Sequence, residues 1–108
     1  MYVRENEGSW VEVVKGVQVK NLYTDQDRQY STVLVKMEPG AAFPDHKHAE
    51  DEECYIIEGD LNMGGHKFTS GDYIRADADS THHSIYSENG CTLLVMASAK
   101  NEMIEHHV

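Results

Sequence analysis

The sequence predicts an all-β protein of one domain, and three observations carry that reading. Side chains alternate with a period of two, as where Val17, Val19 and Asn21 interleave with Gln18, Lys20 and Leu22. Short runs rich in β-branched residues recur at close, regular spacing. Gly and Asp turn material separates them. The length of 108 residues suits one domain, here spanning 1–108 with a barrel core of about 10–97. No repeat or linker interrupts it, and no segment holds a helical period beyond a turn near Lys100 to Glu105.

The elements follow in order. A β-rich stretch runs from Trp10 to Tyr23, and Ser31 to Met37 forms a second that stops at Glu38-Pro39-Gly40. Further strands are expected over Cys54 to Glu58, Leu61 to Met63, Lys67 to Thr69, Asp72 to Ala76, His83 to Tyr86 and Thr92 to Ala97. The separators are Glu58-Gly59-Asp60, Gly64-Gly65, Ser70-Gly71-Asp72, Asp77-Ala78-Asp79-Ser80 and Glu88-Asn89-Gly90. Many short strands with such turns indicate a barrel or sandwich. An edge strand within Trp10 to Tyr23 would need covering by charge or by another chain, so a homodimer is expected.

Nine Lys and Arg against nineteen Asp and Glu give a formal net charge of −10. That balance excludes binding to nucleic-acid phosphates and polybasic attachment to a membrane. No apolar run approaches the length of a membrane span, and the N-terminus lacks the pattern of a signal peptide. Two cysteines do not make a secreted disulfide scaffold, so a cytoplasmic protein with reduced thiols is expected.

His46 and His48 stand two apart, so on an extended strand they share a face. Glu52 follows at the start of the next apolar strand, and His82 comes from a different strand. Three imidazoles and a carboxylate suit one divalent metal, and a barrel gives them a reason to converge. These donors suit Zn, Fe, Mn, Ni or Co, and ligand type alone does not choose among them; Zn or Fe is the expected ion.

The run from Gly40 through His46, His48 and Glu52 to Gly59 resembles the first cupin motif, G-x5-H-x-H-x3-E-x6-G, at every fixed position. The second motif, G-x5-P-x-G-x2-H-x3-N, is met at Gly71 and His82, whereas Asp77, Asp79 and Tyr86 replace its Pro, Gly and Asn. More narrowly, Trp10, Gly16-Val17, Lys20-Asn21-Leu22, Pro39-Gly40-Ala41, Gly71 to Arg75 and Ser87 to Cys91 resemble the cupin domain of ChrR-type anti-sigma factors. Acetylacetone-cleaving dioxygenases are relatives in the same group. The resemblance implies a double-stranded β-helix (an RmlC-like jelly roll) with His46, His48, Glu52 and His82 as metal ligands. A ChrR-type factor carries a helical sigma-binding domain in front, and only about nine residues precede Trp10. A stand-alone sensory or regulatory cupin is therefore expected rather than a whole anti-sigma factor.

Other residues read as follows. Phe43, Cys54, Ile56 and Tyr86 are candidate lining of the cavity, Tyr86 with its phenol, and a core role is equally consistent for Phe43 and Ile56. Cys54 shares parity with Glu52, so it is either a small buried side chain or a thiol whose oxidation would alter metal affinity. His83 faces away from His82, while His66, His106 and His107 read as solvated. The acidic residues Asp45, Glu50, Asp51 and Glu53 read as a solvated face. Two functions remain. One is metal sensing or regulation. The other is Fe(II)-dependent dioxygenation of a β-dicarbonyl or similar small chelating molecule, with two open positions on an octahedral ion.

Overall fold

A computed structural model describes residues 1–44, 51–78 and 84–98 in full, and the backbone of 46–47 and 81–82. Eleven strands follow one another among these residues: β1 (Trp10–Val14), β2 (Val17–Asp25), β3 (Tyr30–Met37), β4 (Ala42–Phe43), β5 (His46–Lys47), β6 (Glu52–Met63), β7 (His66–Thr69), β8 (Tyr73–Ala76), β9 (Thr81–His82), β10 (Ile85–Tyr86) and β11 (Cys91–Ser98). The all-β expectation holds among these residues, in a single small domain. The helical turn expected near residues 100–105 lies outside the described residues.

Every ladder among the described residues is antiparallel. One wall runs β1-β2-β3-β11-β6-β8, and the second half of β6 continues into another wall with β7, β10 and β4. The alternation seen in the sequence becomes two faces. Val17, Val19, Val33, Val35, Met37, Leu93 and Val95 are buried on the inner one, where they meet Leu61 and Ile85 from the second wall. Ile56 and Leu61 are almost wholly enclosed, and each such side chain contributes about 1.5–3 kcal/mol.

Two sequence expectations are revised. Glu58-Gly59-Asp60 is no turn: the two strands predicted on either side of it form the single strand β6. Leu93 pairs with Ile56 and Thr92 with Glu58, so Ile57 is an extra residue, a bulge that bends the strand from one wall into the other. The stretch Trp10 to Tyr23 is instead divided, with β1 and β2 joined through Lys15-Gly16. Gly16 has a φ of 77°, a conformation easy only for glycine.

β1 ends its wall and pairs only with β2 among the described strands. Lys36 sits over its Trp10 ring at 4.7 Å. The preceding residues cross the outer face, where buried Lys20 donates to the carbonyls of Glu5 at 2.9 Å and Arg4 at 3.5 Å.

Candidate metal site

Glu52 opens β6, half-buried, on the face that also carries Cys54 and Ile56. Ladder partners share a face, so register locates its neighbours. One row reads Thr24, Ser31, Ala97, Glu52 and Ala76 across β2, β3, β11, β6 and β8. The next reads Asn21, Val33, Val95, Cys54 and Ile74. Ser31, Ala97 and Ala76 are buried and small, so the wall carries little side-chain volume around Glu52.

His46 on β5 and His82 on β9 are direct partners in a two-strand ladder, followed by Lys47 opposite Thr81. Two residues far apart in sequence thus occupy one register position. His48 lies outside the described residues, as do the side chains of His46 and His82. Among the described residues, no group of three or more His, Cys, Asp or Glu could hold a metal. The register thus sets His46 beside His82, and small side chains surround Glu52.

Cys54 is 8% exposed. Burial first, then the Glu52 charge and then Cys91, push its thiol up to about 12. A protonated, enclosed thiol is a poor nucleophile, so Cys54 packs here as a small apolar side chain. Cys91 opens β11, also buried, and burial raises its thiol too.

Of the other candidate lining residues, Ile56 is fully enclosed and Phe43 is partly buried against the core. Phe43 also borders a groove of about 580 Å³ with Val14, Lys15, Pro39 and Pro44, which Glu52 does not line. Tyr86 is exposed, and its neighbour Ile85 enters the core. Ser84, between β9 and β10, has a φ of 52°, so strand alternation cannot be carried from His82 to Tyr86.

Asp51 and Glu53 do more than meet solvent. Asp51 pairs with the Arg75 guanidinium and accepts from the Ala78 N–H at 2.9 Å. Glu53 accepts from the Tyr73 hydroxyl at 2.6 Å, and that bond raises the phenol above its ordinary value. Asp45, Glu50 and His83 lie outside the described residues, as do His106 and His107, whereas His66 opens β7 exposed.

Sequence reasoning missed a polar chain on the inner face. Asn21 Nδ2 donates to Thr24 Oγ1 at 2.8 Å, and Thr24 Oγ1 lies 3.0 Å from Ser31 Oγ. Asn21 already showed inner parity after Val17 and Val19. Thr24 was hidden, because the register skips Leu22 between Asn21 and Tyr23.

A family described as the ChrR cupin-like domain matches residues 1–101. The anti-sigma factor ChrR of Rhodobacter sphaeroides, solved in complex with SigE, aligns at 25% identity with a TM-score of 0.75, over 88% of this chain and 51% of the other. The chain thus spans about half the length of that relative. An acetylacetone dioxygenase from Acinetobacter johnsonii aligns at 15% identity and a TM-score of 0.82, over 91% of this chain and 73% of the other. An RmlC-like cupin from Shewanella frigidimarina aligns at 19% and 0.79, over 90% and 88%. The last two likenesses concern the fold. No curated protein matches the chain. The chain belongs to the ChrR cupin-like domain family.

Proposed function

We propose that this chain is a metal-binding cupin of sensory or regulatory type, with one divalent ion held in the barrel by His46, His48, Glu52 and His82. The observation that carries this reading is the register of His46 with His82. Membership of the ChrR-like family favours the sensory side. Zinc or iron is the expected ion, and when bound it supplies Lewis acidity toward ligand oxygens. The chain's own part is to hold the ion with neutral imidazoles and one carboxylate, above a floor of small side chains.

Elemental analysis of purified protein tests it. One equivalent of metal is expected in wild type, in His83→Ala and in His106→Ala, and its loss in His82→Ala. Metal retained by His82→Ala and lost by His83→Ala would move the fourth ligand by one position.

A second reading is an Fe(II)-dependent dioxygenase acting on a β-dicarbonyl or similar chelating molecule. The acetylacetone dioxygenase fold supports it. Oxygen uptake by Fe(II)-reconstituted protein with a panel of β-dicarbonyls, absent in His48→Ala, would favour the enzyme. A lack of uptake would favour the sensor.

We infer also a homodimer formed through β1, supported by that strand's position at the end of its wall and by Val11, which is 45% exposed. A monomer mass by light scattering at micromolar concentration would overturn it. The free thiols Cys54 and Cys91 support a cytoplasmic location. Among the described residues, no helix is long and apolar enough to cross a membrane.

A further inference from the structure

Glu52 stands where two ladders stop. The pairing of β6 with β8 ends at Glu52 and Ala76, and that of β6 with β11 ends at Glu52 and Ala97. Strand ends open most easily. A carboxylate that is to share an ion with imidazoles from other strands needs its backbone held to a fraction of an ångström.

The residues on either side of Glu52 supply that hold, away from the core. Beyond the last ladder pair, the Asp51 side chain takes over from backbone pairing. One of its carboxylate oxygens accepts from the Ala78 N–H at 2.9 Å, and the other pairs with the Arg75 guanidinium. Arg75 Nε lies 3.4 Å from Asp77 Oδ1, a second anchor for the guanidinium on the same segment. On the other side of Glu52, Glu53 accepts from the Tyr73 hydroxyl at 2.6 Å. Both neighbours of Glu52 are thus fastened to the stretch from Tyr73 to Ala78. That stretch precedes β9, where His82 is the ladder partner of His46. The Asp51 and Arg75 side chains are 52% and 46% exposed, so their ion pair adds little to stability by itself. Its worth lies in geometry.

We propose that Asp51 and Arg75 are positioning residues for the metal. They fasten the start of β6 to the approach to β9 and so order Glu52 and His82 relative to each other before an ion binds. This rests on the metal reading above. Prior ordering of ligands is felt as affinity, because less freedom is lost when the ion binds. Charge acting through space predicts the opposite sign for Arg75: removing a cation near a divalent ion would tighten binding.

Zinc affinity is measured by competition with a chromophoric chelator in wild type, Arg75→Ala, Asp51→Ala and the double variant, with zinc-free melting temperatures recorded alongside. Each single variant should bind zinc about tenfold more weakly than wild type. The double variant should bind no more weakly than Asp51→Ala, because the two side chains act as one unit. Zinc-free melting temperatures should fall by no more than about 5 °C. Should Arg75→Ala fail to fold, Arg75→Gln carries the same test. An Arg75→Ala protein that binds zinc as tightly as wild type, or more tightly, overturns the proposal. So does a double variant restored to wild-type affinity, the signature of charge alone. A zinc-free melting temperature that collapses together with the affinity also overturns it, by making the pair a general support of the fold. Wild type that takes up no zinc overturns the metal reading, and this proposal with it.

Discussion

Glu52–Ile56 and Gly59–Met63 are the two halves of one strand, and they are built on opposite principles. In the second half, Gly59 has a φ of 86°, and a Cβ there would sit 2.0 Å from the Gly90 carbonyl oxygen and 2.7 Å from Cys91 Cα. Next to it, the Asp60 carboxylate accepts from Asn89 Nδ2 at 2.9 Å and from the Glu88 N–H at 2.9 Å. Ser87 closes the arrangement by donating to the Asp60 carbonyl at 2.6 Å. Backbones touch there and the Asp60 carboxylate is filled, although the buried Asn62 Nδ2 of the same half has no hydrogen-bond partner among the described residues. The first half has small neighbours around a carboxylate and an exposed Asn21 on a core face. The second half is thus closed by backbone contact, and the first, where Asn21 is exposed beside small side chains, is the more open.

The largest effect expected from breaking this contrast is at Gly59. Gly59→Ala meets backbone atoms that cannot yield, and it should cost upwards of about 4 kcal/mol, measured by urea unfolding. A cost near zero would mean that the two loops do not approach.

Asp60→Ala should cost about 2 kcal/mol, because it leaves the Glu88 N–H and the Asn89 side chain without their acceptor. The Asn89 side chain above all, with the Glu88 and Asn89 N–H groups and the Ser87 hydroxyl, holds the Asp60 carboxyl below its ordinary 3.8, against the opposing effect of burial. A folded value below the unfolded one means that the contribution is complete above the ordinary range and is lost as pH falls through the folded value. Wild type and Asp60→Ala should therefore differ fully at pH 6 and converge in strong acid. A constant difference down to the acid limit would assign the effect to packing.

In the open half the costs should be smaller. Ser31→Ala removes one hydroxyl bond to Thr24 and no core volume, for about 1 kcal/mol. A loss matching that of Gly59→Ala would erase the distinction between the halves. The smallest effect has the opposite sign. Gln29, at the β2–β3 turn, has a φ of 51°. Gln29→Gly should raise stability by up to about 1 kcal/mol by relieving the left-handed backbone. A lower melting temperature would show that the Gln29 side chain contributes more than the strain costs.

Much of the closed half was legible in the sequence, though not as built. Gly59 was evident as a required glycine of the first motif, but a Gly flanked by Glu and Asp looks like a turn in one dimension. Only the Ile57 bulge and the crossing of Gly90 show that it is a strand residue under a close backbone approach. In the open half, spacing identified His46, Glu52 and His82 as candidates, and the β5–β9 ladder adds a register that no local pattern contains. Tyr86 was placed by parity with His82, and alternation holds only along unbroken strand, which Ser84 interrupts. Thr24 escaped for the same reason at Leu22.

The most direct test of the account is a thermal melt at neutral pH before and after chelation, in wild type, Asp60→Ala and His82→Ala. Metal bound only by the folded state, at a free concentration a thousandfold above its dissociation constant, stabilises by about 4 kcal/mol. Chelation should lower the melting temperature of wild type, and lower that of Asp60→Ala by a similar increment from a lower start. His82→Ala should melt at one temperature in both conditions. A wild-type melt that chelation leaves unchanged, with elemental analysis confirming that metal was present and then removed, would contradict the assignment of the open half as a metal site that ties the strands together.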